Sequence, residues 1–286
     1  MSSMGTKETY RFIERLRLFF VVGIGGIMAN SYLMVIYTKA IYQGPLKAGC
    51  VPFMNCHSCP SSIMSCPIGI LQHFASIRKF PYFLAGFLGL TGLTFGRAAC
   101  GWLCPCGFFQ DMMYRIDSYK LSIHPYLLKL KYLSLIFLVI LLPFLTEIHW
   151  FSSICPWGTL TAGIPWVLWN PVDPVFDGNV IEPGAIGWFF VTKVVILIIF
   201  LLLFVITKRP FCRTLCPLGA IYSLFNRFSF MQVAYENDEC RKGCTHCKDV
   251  CPVDSHILDT SRSSECIRCL KCTSCKNINL SWTFLK

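Results

Sequence analysis

The sequence predicts an all-α membrane bundle of four transmembrane helices followed by a small cysteine-rich C-terminal domain. Composition is the first reason: of 286 residues 54% are hydrophobic and only 14% are charged, whereas ordinary soluble domains carry about a quarter charged residues. The tetrapeptide Cys-Pro-x-Gly is the second, occurring at Cys66, Cys104, Cys155 and Cys216, each near the end of an apolar segment. The third is the stretch from Cys240 to Cys275, where cysteines recur in closely spaced runs. Residues 1–230 are expected to form the membrane part and residues 231–286 the tail domain.

A hydrocarbon core of roughly 30 Å takes about 20 helical residues to cross, which places spans near 18–38, 80–96, 132–150 and 186–207. The first follows a basic start and shows no small-residue cleavage site, so it reads as a retained anchor. The second opens with Pro81, suited to a first helical turn. The fourth contains Lys193, which must snorkel or face a polar cavity. Between the third and fourth, residues 148–172 combine Pro156, Gly158 and Pro165 with Trp150, Trp157, Trp166 and Trp169, the composition of an interfacial or re-entrant stretch.

Residues 147–187 lack Lys and Arg, whereas Lys7, Arg11, Arg15 and Arg17 precede the first span and Lys208, Arg209 and Arg213 follow the last. Both termini are therefore expected in the cytoplasm. The loop 39–79, with Lys39, Lys47, Arg78 and Lys79 and no acids, votes the other way, but helix parity puts it outside. The net charge of +11 sits beside apolar segments rather than in a basic stripe, which argues against nucleic acid as a partner.

The tail reads Cys240-x3-Cys244-x2-Cys247-x3-Cys251-Pro, then Cys266-x2-Cys269-x2-Cys272-x2-Cys275. Bacterial two-cluster ferredoxins use C-x2-C-x2-C-x3-C-P twice, the fourth cysteine of each run ligating the other cluster. By that rule Cys240, Cys244, Cys247 and Cys275 hold one [4Fe–4S] cluster, and Cys251, Cys266, Cys269 and Cys272 the second. This is the expected two-cluster ferredoxin-like domain. The first run carries one extra residue and the second closes without proline. Lys242, Lys248, Arg268, Lys271 and Lys276 surround it, either as a solvated face offsetting cluster charge or as a dock for an acidic partner.

An internal repeat lies upstream. Arg97, Cys100, Leu103, Cys104, Pro105 and Gly107 recur as Arg209, Cys212, Leu215, Cys216, Pro217 and Gly219, 112 positions later. A proline at the start of a helix puts the preceding cysteine where free N–H groups and the positive end of the dipole favour a thiolate. Cys100, Cys104, Cys212 and Cys216 are thus expected to form one tetra-thiolate site at the inner face. Arg97 and Arg209 supply compensating charge, and Cys106 is left to packing.

Cys50, Cys56, Cys59 and Cys66 follow the first span and Cys155 follows the third, on the outer side by parity and away from the other sites. Two readings stand: a further cluster held by Cys56, Cys59, Cys66 and Cys155, or one or two disulfides in an oxidising compartment. His73 and His149 read as interfacial residues, and the absence of C-x-x-C-H excludes attached c-type haem.

The apolar segments, Cys100-x3-Cys104-Pro105, Cys212-x3-Cys216-Pro217 and the cysteine-rich tail together resemble the NapH-type membrane iron–sulfur proteins, quinol dehydrogenase components related to the polyferredoxin cores of NosR-like proteins. The resemblance spans roughly residues 80–275. It implies a prokaryotic cytoplasmic-membrane protein, multi-pass, carrying electrons between a quinone pool or cytoplasmic donor and other redox subunits of a larger oxidoreductase complex. The outer cysteine set departs from that pattern. On the residues alone, the cofactors are [4Fe–4S] clusters, with Lys193 beside Arg97 and Arg209 as a cofactor-binding cation and with room for a quinone. The competing function is a thiol–disulfide oxidoreductase using the outer cysteines. Centres at opposite faces of a roughly 30 Å core would be poorly spaced for tunnelling, so at least one must dip into the membrane or a quinone or haem must bridge them.

Overall fold

The computed structural model describes residues 3–169, 187–235, 250–254, 263–274 and 278–282. They are mostly helical, and two helices are long and apolar enough to cross a membrane, Pro125–Thr146 and Trp188–Ile206. These are the third and fourth expected spans. Val195, Ile198, Ile199 and Leu202 stand exposed on Trp188–Ile206.

The first and second expected spans take other forms. Helix Ser3–Phe20 runs into a wider π-helical stretch, Val21–Met28, and after a turn the chain is helical again only at Val35–Thr38. Gly23, Gly25 and Gly26 all fall in the π-helical stretch, where glycine weakens ordinary helical bonding by about 1 kcal/mol per residue. A side chain at Gly25 would collide with the Leu103 carbonyl. The second segment forms helix Tyr82–Phe95, of 14 residues, about 21 Å at 1.5 Å per residue, too short to cross. It stops at Gly96, whose φ of 57° opens a turn.

Prolines shape the rest. Pro125–Thr146 relaxes into π-type bonding over Leu135–Leu141, just ahead of Pro143, whose missing N–H cannot close an ordinary helical bond. The expected interfacial stretch folds as helix Trp150–Ile154, a break at Cys155 and a continuous helix over 156–169, with its π-type segment Thr159–Gly163 directly before Pro165. Residues 170–172 of that stretch lie outside the described residues.

The loop after the first helix is a compact element. A bridge joins Cys50 to Ser65, Asn55 Nδ2 donates to Ser62 Oγ and to the Met64 carbonyl, and Lys47 Nζ donates to the carbonyls of His57 and Ser62. Trp166 Nε1 pins it to helix 156–169 by donating to the Ser58 carbonyl at 2.7 Å. One apolar core then takes in Met54, Cys66 and Cys155 together with Cys100, Cys104, Cys212, Cys216 and Cys269. The expectation that the loop's cysteines lie away from the other sites is therefore corrected.

The all-α expectation also needs one addition. Strand Met231–Tyr235 pairs antiparallel with Ile278–Trp282, Val233 opposite Leu280, so the two ends of the tail close on each other.

Candidate functional site

The Cys-Pro-x-Gly motifs share one local structure. Cys66, Cys104, Cys155 and Cys216 each cap a helix whose first residue is the following proline, with ψ between 112° and 132° at the cysteine. Proline supplies the helical φ and has no N–H to leave unpaired. Each sulfur lies within reach of the N–H three residues on, that of Gly69, Gly107, Gly158 and Gly219 respectively; the Gly219 N–H to Cys216 Sγ distance is 3.4 Å. Burial pushes all four thiols up, and the amide donors at the helix start work against it in favour of the anionic, metal-binding form.

The two repeat copies interlock. Arg209 Nη1 donates to the Cys100 carbonyl at 3.0 Å, and Arg97 Nη2 returns the bond to the Cys212 carbonyl at 3.4 Å. Gly107 and Gly219 are small for this reason: a Cβ on either would press on the crossing arginine and on the carbonyl it serves. All four sequence-predicted inner ligands, Cys100, Cys104, Cys212 and Cys216, are buried beside one another in the core. Arg97 and Arg209 are fully buried with them.

Buried guanidinium groups require counter-charges, and the two copies find them differently. Asp111 accepts from Arg209 Nε and Nη2 at 2.6 Å each and from Arg17 at 3.1 Å. Burial opposes ionisation of Asp111, but Arg209 first and Arg17 next hold its carboxyl below the usual range. The equivalent position in the second copy is Ser223, which has no charge to offer and accepts or donates with Tyr132 at 2.6 Å. Arg97 is instead matched by Glu265 from the tail, at 3.1 Å, and the same carboxylate pairs with fully buried Lys131. Extending the repeat alignment past Gly219 would have exposed this asymmetry; neither Glu265 nor Lys131 carries a motif of its own.

Cys106, expected to be packing, joins the site. Gln110 Nε2 donates to Cys212 Sγ at 3.0 Å and lies 3.4 Å from Cys106 Sγ. A hydrogen bond from Cys106, aided by Arg209, brings the Cys212 thiol down to about 7 against the effect of burial. Cys104 is pushed up to about 12, chiefly by burial.

The tail is fastened to this site. Trp102 Nε1 donates to the Arg268 carbonyl, and Arg268 donates to the carbonyls of Phe95 and Asn226. A side chain at Gly101 would overlap the Ile267 carbonyl. Lys208 and Arg213 pair with Asp254, and Lys271 pairs with Glu14. Arg268 and Lys271, read from sequence as a surface face, are thus only 3% and 8% exposed; Lys242, Lys248 and Lys276 lie outside the described residues. Cys251, Cys266, Cys269 and Cys272 are described, and Arg268 and Leu270, flanking Cys269, have φ of 48° and 58°. Such alternation turns successive N–H groups inward, the concavity that many iron–sulfur sites use. Cys240, Cys244, Cys247 and Cys275 lie outside the described residues.

The remaining set gathers only in part. Cys56, Cys66 and Cys155 line one cavity of about 280 Å³ that Lys193 also lines, so Lys193 faces a cavity rather than only snorkelling. Cys59 is placed one turn from Cys56 with its sulfur 3.5 Å from Ser61 Oγ. Among the described residues no disulfide joins Cys50, Cys56, Cys59, Cys66 or Cys155, so neither the disulfide reading nor the thiol–disulfide function gains support.

Among the described residues no three His, Cys, Asp or Glu side chains converge on a single metal ion. A four-iron cluster asks for a different arrangement, cysteine thiolates spread around a core with hydrogen-bond donors aimed at its sulfurs. The interlocked copies fit it: buried thiols, two buried arginines, and an Arg97 Nε left without a hydrogen-bond partner on a guanidinium that still acts on Cys100.

A family described as a 4Fe-4S binding domain matches residues 79–124 and 188–232, one match for each copy of the repeat. The chain is 31% identical over 237 residues to an uncharacterized protein of Methanocaldococcus jannaschii, covering 78% of this chain and 88% of that one. It is 25% identical over 250 residues to the methylamine utilization ferredoxin-type protein MauN of Methylorubrum extorquens, covering 86% and 76%. It is likewise 25% identical over 281 residues to the ferredoxin-type protein NapH of Haemophilus influenzae, covering 92% and 85%. No solved structure matches the chain.

Proposed function

The chain belongs to the NapH-like, ferredoxin-type 4Fe-4S proteins, and from that membership we propose that it carries electrons between a quinone and a redox partner subunit through a [4Fe–4S] site held by Cys100, Cys104, Cys212 and Cys216. The observation that carries this reading is the reciprocal donation of Arg97 to the Cys212 carbonyl and of Arg209 to the Cys100 carbonyl. It fixes two ligand pairs from different parts of the chain against each other. A bound [4Fe–4S] cluster supplies a one-electron carrier whose potential follows hydrogen bonding, charge and burial.

The residues have separate tasks. The four cysteines ligate; the Gly107 and Gly219 N–H groups and Gln110 donate toward sulfur; Arg97 and Arg209 offset negative charge in a setting from which water is excluded. Glu265 and Arg268 hold the tail against the site, so that the Ile267 and Cys269 backbone abuts Gly101 in the segment that carries tail ligands Cys266, Cys269 and Cys272, with Cys251 as the fourth. Cys240, Cys244, Cys247 and Cys275 complete the two-cluster tail toward a cytoplasmic partner. Pro125–Thr146 and Trp188–Ile206 cross a prokaryotic cytoplasmic membrane, with both termini inside.

A mostly apolar cavity of about 570 Å³, lined by Ile70, Phe74, Phe83 and Leu84 with His57, His73, His149 and Cys66, supports the quinone assignment. Ligand pockets of roughly 300–1,000 Å³ with a few polar groups are the usual form. His149 lines this cavity and the neighbouring one of about 280 Å³, and its buried Nε2 has no hydrogen-bond partner, a group that a quinone oxygen reaching from this side would satisfy.

Anaerobic iron and sulfide analysis with electron paramagnetic resonance tests the assignment. Cys104→Ser and Cys216→Ser are expected to remove the same signal and leave the tail signals. Retention of every signal would overturn the shared site. Quinol-driven reduction should slow in His73→Ala, at a position that lines only the larger of the two cavities, with iron content unchanged.

A further inference from the structure

The second cysteine set has the construction of a metal site in its own right. Cys66 caps helix Pro67–Ser76 and Cys155 caps the continuous helix over 156–169. Each repeats the Cys-Pro-x-Gly geometry of the inner pair, with sulfur held near a glycine N–H. Both thiols are buried. They open with Cys56 into the same cavity of about 280 Å³, whose wall includes His149, Trp157 and Lys193. A Cβ at Gly158 would stand at ordinary contact distance, 3.5 Å, from Cys56 Sγ, so the helix start lies beside the opposing thiol.

Charge is arranged as at the inner site. The Lys193 ammonium reaches into the cavity wall over the Phe189 ring, 4.7 Å from its centroid, and Lys47 holds the loop from below through the His57 and Ser62 carbonyls. A lysine within an apolar helix, here the sixth residue of Trp188–Ile206, gains from an anion to face. Among the described residues the cavity wall offers no carboxylate, so thiolates and what they bind are the available anions. Cys59 enters through the C-x2-C spacing, its N–H bonded to the Cys56 carbonyl at 3.1 Å. Cys50 Sγ turns to the Val51 carbonyl instead.

We propose that Cys56, Cys59, Cys66 and Cys155 hold a further iron–sulfur cluster in this cavity, with Lys193 as its counter-charge, one residue away from the inner site. It rests on the reading that this chain binds clusters and adds a site beyond the duplicated motif. Met54 makes the two sites neighbours: its sulfur lies 3.9 Å from Cys66 Sγ and its N–H is within reach of Cys104. The tail, the inner site and this site then form one continuous series.

The full-length protein, purified anaerobically in detergent, provides the test. Cys66→Ser and Cys155→Ser should each lower iron by about four atoms per chain, the content of one [4Fe–4S] cluster. Each should also delete one resonance component while keeping the component lost in Cys104→Ser, which reports that the bundle has folded. Cys50→Ser should lose no iron. In the unmutated protein Cys56 and Cys59 should resist alkylation until iron is stripped, a readout independent of any variant. Unchanged iron in both serine variants, or alkylation of Cys56 and Cys59 in the iron-loaded protein, would overturn the site. Loss of no component in Cys104→Ser, with these results intact, would instead count against the inner site alone.

Discussion

The sulfur of Met54 lies 3.9 Å from the sulfur of Cys66, and the backbone N–H of the same residue lies within hydrogen-bonding reach of Cys104. Two thiol sets far apart in sequence therefore meet across a single residue. Met54 is buried in the shared core. Met54→Ala should cost about 2–5 kcal/mol, as buried large-to-small changes do, whereas Met54→Leu should stay within about 1.5 kcal/mol because volume is kept. Denaturant unfolding of the detergent-solubilised protein measures both; equal stabilities would contradict the packing described.

Glycines separate tail docking from helix propensity. Gly101→Ala places a methyl group against the Ile267 backbone and should raise hydrogen exchange across 263–274. Gly89, with nothing within 4 Å of an added Cβ, should accept alanine with a gain of up to about 1 kcal/mol. No rise in exchange in Gly101→Ala would show that the tail does not rest on this helix.

Glu265 answers two buried cations, Arg97 and Lys131. Burial disfavours its charge, yet Arg97 and Lys131 keep its carboxyl below the usual range. Glu265→Gln leaves both cations uncompensated and should cost about 3–5 kcal/mol. Adding Lys131→Met should recover part of that loss. A double-mutant cycle with no coupling between the two positions would reject the pairing.

Cys106 and Gln110 act on the inner site by hydrogen bonding to Cys212. Such donors stabilise the more negative, reduced form of a cluster. Cys106→Ala and Gln110→Leu should therefore lower the midpoint potential of the inner signal while iron per chain is unchanged. Loss of iron in Cys106→Ala would make Cys106 a ligand instead.

Lys193→Met should likewise keep iron content but lower the potential of the second site alone, since a positive charge facing it is removed. A shift confined to the inner signal would place Lys193 elsewhere.

What could be read from the sequence was whatever a short spacing encodes. The repeat at Cys100 and Cys212 named the inner thiols and arginines because ligands and counter-charge sit within one turn of each other. Trp188–Ile206 was visible as an uninterrupted apolar run. The segment 18–38 was equally apolar, but hydropathy does not register that Gly25 must lie flush against Leu103. Asp111 and Glu265 were missed because one charge serves a partner 98 residues away and the other a partner 168 residues away. The closeness of the two thiol sets was hidden for the same reason: helix parity treats a loop as lying at a face, whereas this loop's Ser62–Asn55 and Trp166–Ser58 bonds fold it into the core.

The convergence of the two repeat copies on one shared centre is tested most directly by comparing Cys100→Ser with Cys212→Ser, one ligand from each copy, by iron content and paramagnetic resonance. Both variants should lose the same single component and about four irons per chain. Loss of different components in the two variants would mean that each copy serves a separate centre, and the interlocked site would be wrong.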